Sequence, residues 1–179
     1  LMRGIPGMVV VNPADDTEAC QAVRALAEYY GPAYLRLGRL AVPVVNDPES
    51  YHFELGRAVT LREGKDATVI ATGLMVARAL EAAEQLAQEG VQVRVVNMHT
   101  IKPLDVQAVV NAANETGCIV TAEEHSVIGG LYSAVCEAMV GEGVSCPVAP
   151  VAIMDAFGQS GPANALLEYY GLTASAIAQ

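Results

Sequence analysis

The chain has 179 residues, with 10 Lys+Arg against 20 Asp+Glu and a formal net charge of −10 at pH 7. Apolar residues make up 53% and charged residues 17%, enough for a buried core, which excludes intrinsic disorder. The acidity makes nucleic acid or an anionic membrane surface an unfavourable partner, because the phosphate term is repulsive.

Residues 8–11 form a short apolar run that ends at Asn12-Pro13, a strand followed by a breaker. The chain opens at Leu1 only a few residues before this strand, and we expect it to be a piece of something longer. Asp15 or Asp16 is placed to cap a helix, with Glu18 in the capping-box position. Ala19, Val23, Leu26, Ala27 and Tyr30 then recur at helical spacing. Gly31-Pro32 stops that helix, and residues 33–37 read as a second strand. Strand, helix and strand make one β-α-β crossover, which joins parallel strands but is not a complete domain.

Residues 46–56 hold Pro48 and no helical or alternating period, and we read them as a linker. Residues 1–45 are then one partial domain and 57–179 a second, complete one. Within the second, apolar strands are expected at 67–71, 91–96, 118–122 and 147–153. Helices are expected from Val76, from Pro103 with Asp105 in its first turn, from Gly129-Gly130 and from Pro162. Thr173 caps a last short one. Strands that are apolar along their length and alternate with helices predict a three-layer α/β domain with a mostly parallel sheet.

In such a sheet, ligands and partners meet the carboxyl edge of the strands. That edge collects Thr72, His99, the run Glu123-Glu124-His125-Ser126, and Asp155. The pattern E-E-H-S-x-x-G-G at 123–130 offers an acid and a base, or metal ligands, beside an anion-accepting helix start. With no further His or Cys ligand nearby, capping and interface pairing account for it better than catalysis or a metal. His99 reads as a satisfied polar group. P-loop, full Rossmann and G-x-S-x-G patterns are absent. Cys20, Cys118, Cys136 and Cys146 contain no C-x-x-C pair, which fits a reduced, cytoplasmic protein, and Cys118 and Cys136 read as core residues. In G-P-A-Y-L-R-L-G-R, alternation puts Arg36 within the strand and Arg39 just beyond it, where a guanidinium suits phosphate or carboxylate.

Taken together, R-G-I-P-x-M-x-V-V-N-P-A-D, G-P-A-Y-L-R-L-G-R, T-I-K-P-L-D, E-E-H-S-V-I-G-G-L, D-x-F-G-Q-S-G and the ending Y-G-L-T-A resemble the C-terminal section of transketolase. The likeness is greatest to the split form, in which two polypeptides share one thiamine diphosphate enzyme. T-I-K-P-L-D alone is shared with 2-oxoacid dehydrogenase β subunits and deoxyxylulose-phosphate synthases.

The resemblance implies that residues 1–45 end a pyrimidine-binding domain and that 57–179 are the transketolase C-terminal domain. It places thiamine diphosphate and Mg2+ in the complete enzyme, on residues outside this chain, and none on the chain alone. It carries one role over, the sugar-phosphate contact, onto Arg39. It leaves Glu123, Glu124, His125, His99 and Asp155 as interface or effector-edge residues, with no catalytic residue here. The expected partners are the N-terminal section or subunit, further copies in an oligomer, and sugar phosphates. The alternatives are a dehydrogenase β-type or deoxyxylulose-phosphate synthase-type subunit, and a non-catalytic assembly or regulatory domain.

Overall fold

The computed structural model describes residues 1–179. A 3-10 turn at Met2–Gly4 leads into strand β1 (Val9–Val11), helix α1 (Asp16–Glu28) and strand β2 (Ala33–Leu35). β1 and β2 are parallel, as a crossover requires. Asp15 is the N-cap of α1, its Oδ1 accepting from Glu18 N at 2.8 Å. The capping box is displaced by one residue, because Glu18 Oε2 takes the amide of Ala14 (2.6 Å) rather than that of the cap itself.

The larger sheet has the order β3-β5-β4-β7-β8, from β3 (Val59–Arg62), β4 (Ala67–Ala71), β5 (Val93–Asn97), β7 (Ile119–Ser126) and β8 (Val148–Ile153). The last four are mutually parallel and β3 closes one edge antiparallel to β5. Alternation along β4 sorts the core. Val69 and Ala71 face α2 (Met75–Gln88) and α6 (Ala174–Ala178), with Leu167 of α5 (Ala163–Tyr169) on the same side. Ile70 faces α3 (Val106–Thr116) and α4 (Leu131–Gly141). The expected three-layer α/β architecture with a mostly parallel sheet is therefore present, behind a β-α-β unit. No helix is long and apolar enough to cross a membrane.

Several local expectations change. Asp105 is the N-cap of α3, accepting from Ala108 N at 3.0 Å, and does not lie in its first turn. β7 runs on to Ser126, so Glu123 to Ser126 belong to a strand rather than a loop. The extension follows from Ser126 pairing with Ile153 beyond a break in register. β2 ends at Leu35, which leaves Arg36 just past the strand, although its amide still donates to Val11 O at 2.8 Å. Cys118 and Cys136 are half-buried rather than core.

β6 (Thr100–Lys102) ties the two parts together. It lies in the C-terminal range yet pairs antiparallel with β1, giving a small sheet of order β2-β1-β6. Residues 45–56 are fixed against α1. Asp15 Oδ2 accepts from the amides of Val45 and Asn46, each at 2.8 Å, and Gln21 bonds both Tyr51 O and Phe53 N.

Candidate functional site

The carboxyl edge of the large sheet is met by the chain's own N-terminal segment. Asn12 N donates to His99 O at 2.8 Å, and Thr72 Oγ1 donates to Asn12 O at 3.3 Å. Arg36 reaches the same edge, with Nη2 on Glu124 O at 2.9 Å and Nη1 3.5 Å from Glu124 Oε2. Both side chains are about one-third exposed, so the ion pair adds little and the carbonyl bond more. Thr72, His99, Glu123, Glu124 and His125 do come together here. Asp155 does not join them; it is exposed beyond β8 with φ 49°.

Glu123 is buried and serves α4. Its two oxygens accept from Leu131 N (2.7 Å) and Tyr132 N (2.8 Å), the first free amides of that helix. Burial raises its carboxyl above the usual range, and these two amides, with His125 and Arg3, pull it back. Gly130 makes the contact possible, since a Cβ there would stand 2.0 Å from Glu123 Oε2. His125 Nδ1 lies 3.8 Å from the same oxygen and 2.8 Å from Ser126 O, and the side chain is about half exposed.

His99 is fully buried, 4.4 Å from the Phe53 ring, with Nδ1 2.8 Å from Thr100 Oγ1 and Nε2 unpaired. It is therefore only half satisfied. Burial lowers its pKa to about 4, so it is a neutral packing group at pH 7.

The buried carboxylate that sequence reasoning saw only as a helix cap is Glu18. Besides Ala14 N it accepts from Tyr51 Oη and from Asn97 Nδ2 (2.8 Å) at the end of β5. Burial raises both the Glu18 carboxyl and the Tyr51 phenol. The capping spacing was the available signal, but nothing in it points to Asn97.

Arg39 lies in the exposed run after β2 and makes no hydrogen bond or ion pair within the chain. Arg36 is committed to Glu124 and Arg3 to Glu137, which it grips through both terminal nitrogens at 2.7 and 2.6 Å. Of the four arginines in residues 1–45, Arg3 and Arg36 are paired, while Arg24 on α1 and Arg39 after β2 are exposed and keep their guanidinium groups free.

The family model described as "Transketolase, C-terminal domain" matches residues 56–177. A 6-deoxy-6-sulfo-D-fructose transketolase subunit of Clostridium sp. is 47% identical over 99% of this chain and 54% of its own length. A 1-deoxy-D-xylulose-5-phosphate synthase of Heliobacterium modesticaldum is 42% identical over 99% of this chain but only 28% of its own length. A solved structure titled "Split gene transketolase, inactive beta4 tetramer" superposes with a TM-score of 0.94 at 50% identity, covering 99% of this chain and 57% of the other. The chain thus spans about half the length of the transketolase relatives it matches, and it belongs to the transketolase C-terminal domain family.

Proposed function

We propose that the chain is the C-terminal part of a transketolase that moves a two-carbon ketol unit between sugar phosphates, the remaining machinery lying on an N-terminal section or subunit. The observation that carries this is the coverage. Nearly all of this chain aligns with about half of a protein named as a transketolase subunit. Arg39 supports it, as an uncommitted guanidinium at a strand's carboxyl end, the geometry that receives a phosphate or carboxylate in a parallel fold.

Thiamine diphosphate supplies the nucleophilic carbon in such chemistry, and this chain alone does not fit it. The buried carboxylates Glu18 and Glu123 spend both oxygens on donors of the fold, leaving none for an aminopyrimidine nitrogen. The chain's own contribution is to hold the N-terminal β-α-β unit against the sheet edge and to present Arg39 to the phosphate of a sugar. Assembly with further copies is supported by the tetramer named for the related structure. The division at 45 and 56 and the cytoplasmic setting belong to the same proposal.

The synthase relative favours a second reading, a deoxyxylulose-phosphate synthase-type part. The two differ in the donor, a ketose phosphate against pyruvate. The test is reconstitution with the N-terminal partner section and thiamine diphosphate. Ketol transfer from a ketose phosphate should appear in the mixture and in neither component. Carbon dioxide release from pyruvate with glyceraldehyde 3-phosphate would move the assignment to the synthase. Turnover by this chain alone, or its binding thiamine diphosphate more tightly than about 10 μM, would overturn the division of labour.

A further inference from the structure

Arg36 ties the N-terminal unit to the large sheet. Its amide donates to Val11 O on β1 at 2.8 Å, and its Nη2 donates to Glu124 O on β7 at 2.9 Å. Glu124 lies past Ala122, where β7 stops pairing with β4, and inside the register break against β8, between Ala122 and Ser126. Its carbonyl therefore meets a guanidinium of the N-terminal segment where the ladder is interrupted. The Glu124 carboxylate, 3.5 Å from Nη1, adds less, since both side chains are about one-third exposed.

What Arg36 holds is the start of the run that carries Arg39. Leu37, Gly38 and Arg39 are exposed, and Leu40, half-buried, packs against the core beside α2. No backbone hydrogen bond fixes these residues, and the next anchor is Asp15 Oδ2, which takes the amides of Val45 and Asn46 at 2.8 Å each. Arg39 thus stands on a short exposed bridge, tied to the large sheet at its near end by the Arg36 side chain and seated at its far end by Leu40. Placement matters here, because a displacement of about 1 Å can cost about 100-fold in rate. We propose that Arg36 is a positioning residue: gripping Glu124 O, it fixes the 37–39 bridge against β7 and so sets where the Arg39 guanidinium meets the phosphate of a sugar. The proposal rests on the phosphate reading of Arg39 and adds to it a role for β7 in placing the substrate.

The test uses the complete enzyme, reconstituted with the N-terminal section and thiamine diphosphate, and compares a phosphorylated sugar donor with unphosphorylated hydroxypyruvate. Arg36→Met should lower kcat/KM for the phosphorylated donor at least about fivefold and for hydroxypyruvate less than about twofold. Arg36→Lys, which keeps the charge and one donor, should recover part of the loss. Glu124→Gln keeps the carbonyl and should stay within about twofold of the parent. In an Arg39→Ala background Arg36→Met should add no phosphate-specific loss, because it acts through Arg39. An added loss would mean that Arg36 meets the phosphate itself, and the proposal would be overturned. Should Arg36→Met fail to fold, Arg36→Gln, too short to hold Glu124 O, carries the same expectation. The proposal also falls if Glu124→Gln costs as much as Arg36→Met, or if a folded Arg36 variant lowers both donors equally or neither. If Arg39→Ala shows no split between donors, the phosphate reading falls and the positioning role with it. If Arg39→Ala splits them and Arg36→Met does not, the phosphate reading stands and only the positioning role is lost.

Discussion

Glu18 Oε1 accepts a hydrogen bond from Asn97 Nδ2 at 2.8 Å, joining the first helix to the end of β5 across 79 positions of sequence. Ala14 N and the Tyr51 hydroxyl bond the same carboxylate, so one buried side chain closes the N-terminal unit, the 46–56 segment and the large sheet together. Glu18→Gln keeps the shape but turns an NH2 group toward a donor. One unmet buried group costs about 1–3 kcal/mol, and about 2–4 °C of melting temperature follow per kcal/mol at this size. The variant should therefore melt about 2–12 °C lower, while Asp16→Asn, at an exposed position, should melt within about 2 °C of the parent. Equal melting of all three would show that Glu18 does not hold the parts together.

Gly130→Ala tests the α4 cap. The new Cβ would stand 2.0 Å from Glu123 Oε2 and 2.9 Å from His125 Nδ1, so the carboxylate must leave the amides of Leu131 and Tyr132. A lost cap costs roughly 0.5–2 kcal/mol and an unpaired buried carboxylate more. The alanine variant should lose at least about 3 kcal/mol in urea unfolding, more than Glu123→Gln, which retains one acceptor.

His99 gives a pH dependence of known sign. Burial lowers its folded pKa to about 4, below the ordinary 6.5, so between these values the unfolded chain binds more protons. Its contribution is full above about pH 6.5 and is lost as pH falls toward 4. Two and a half units correspond to about 3 kcal/mol. Burial raises the Glu18 and Glu123 carboxyls, which works in the opposite sense over the neighbouring range. The measurement is therefore a difference. The stability gap between the chain and His99→Gln, followed by urea unfolding, should shift against the chain by about 3 kcal/mol from pH 7 to pH 4. A constant gap would mean that His99 protonates freely in the folded state.

What the sequence disclosed divides along physical lines. α2, α3 and the strands β4, β5 and β7 were legible because each carries its own period or an unbroken apolar run, and the α3 C-cap at Gly117 and the α6 N-cap at Thr173 fall where chain chemistry puts them. β6 was not legible, because three residues after β5 become a strand only when β1 lies alongside. β3 was missed for a similar reason: it is a short edge whose register shifts against β5. At the site, the grouping of His99, Glu123 and Glu124 followed from topology alone. Their partners did not, since Asn12, Arg36 and the α4 amides reach them through tertiary packing. Glu18 looked like a cap because local spacing records the near contact and is silent about Asn97.

The same packing puts the unbonded connection ahead of the proposed 46–56 linker. Residues 37–44 take no part in any backbone hydrogen bond, whereas Val45, Asn46, Tyr51 and Phe53 are bonded to Asp15, Glu18 and Gln21. Limited proteolysis should cut first within 37–44, where exposed backbone opens at little cost, and leave a resistant C-terminal piece. First cuts between 67 and 153 would contradict the division.

The proposed phosphate contact of Arg39 can be tested on the donor. If it contacts a sugar phosphate, Arg39→Ala in the complete enzyme removes charge-assisted bonds, worth roughly 1.5–3 kcal/mol each. At tenfold per 1.4 kcal/mol, kcat/KM for phosphorylated sugars should fall about 10- to 100-fold. Hydroxypyruvate, a donor without phosphate, should lose far less when its turnover is followed in the half-reaction. Arg39→Lys should recover part of the loss, because it keeps the charge but not the planar fork. Arg39 has no partner in the chain and is exposed, so neither variant should change the melting temperature by more than about 2 °C. That separates a ligand contact from a structural one. A dehydrogenase-type subunit, whose substrates carry no phosphate, would show no split between donors. Equal losses on phosphorylated and unphosphorylated donors would remove the phosphate role from Arg39.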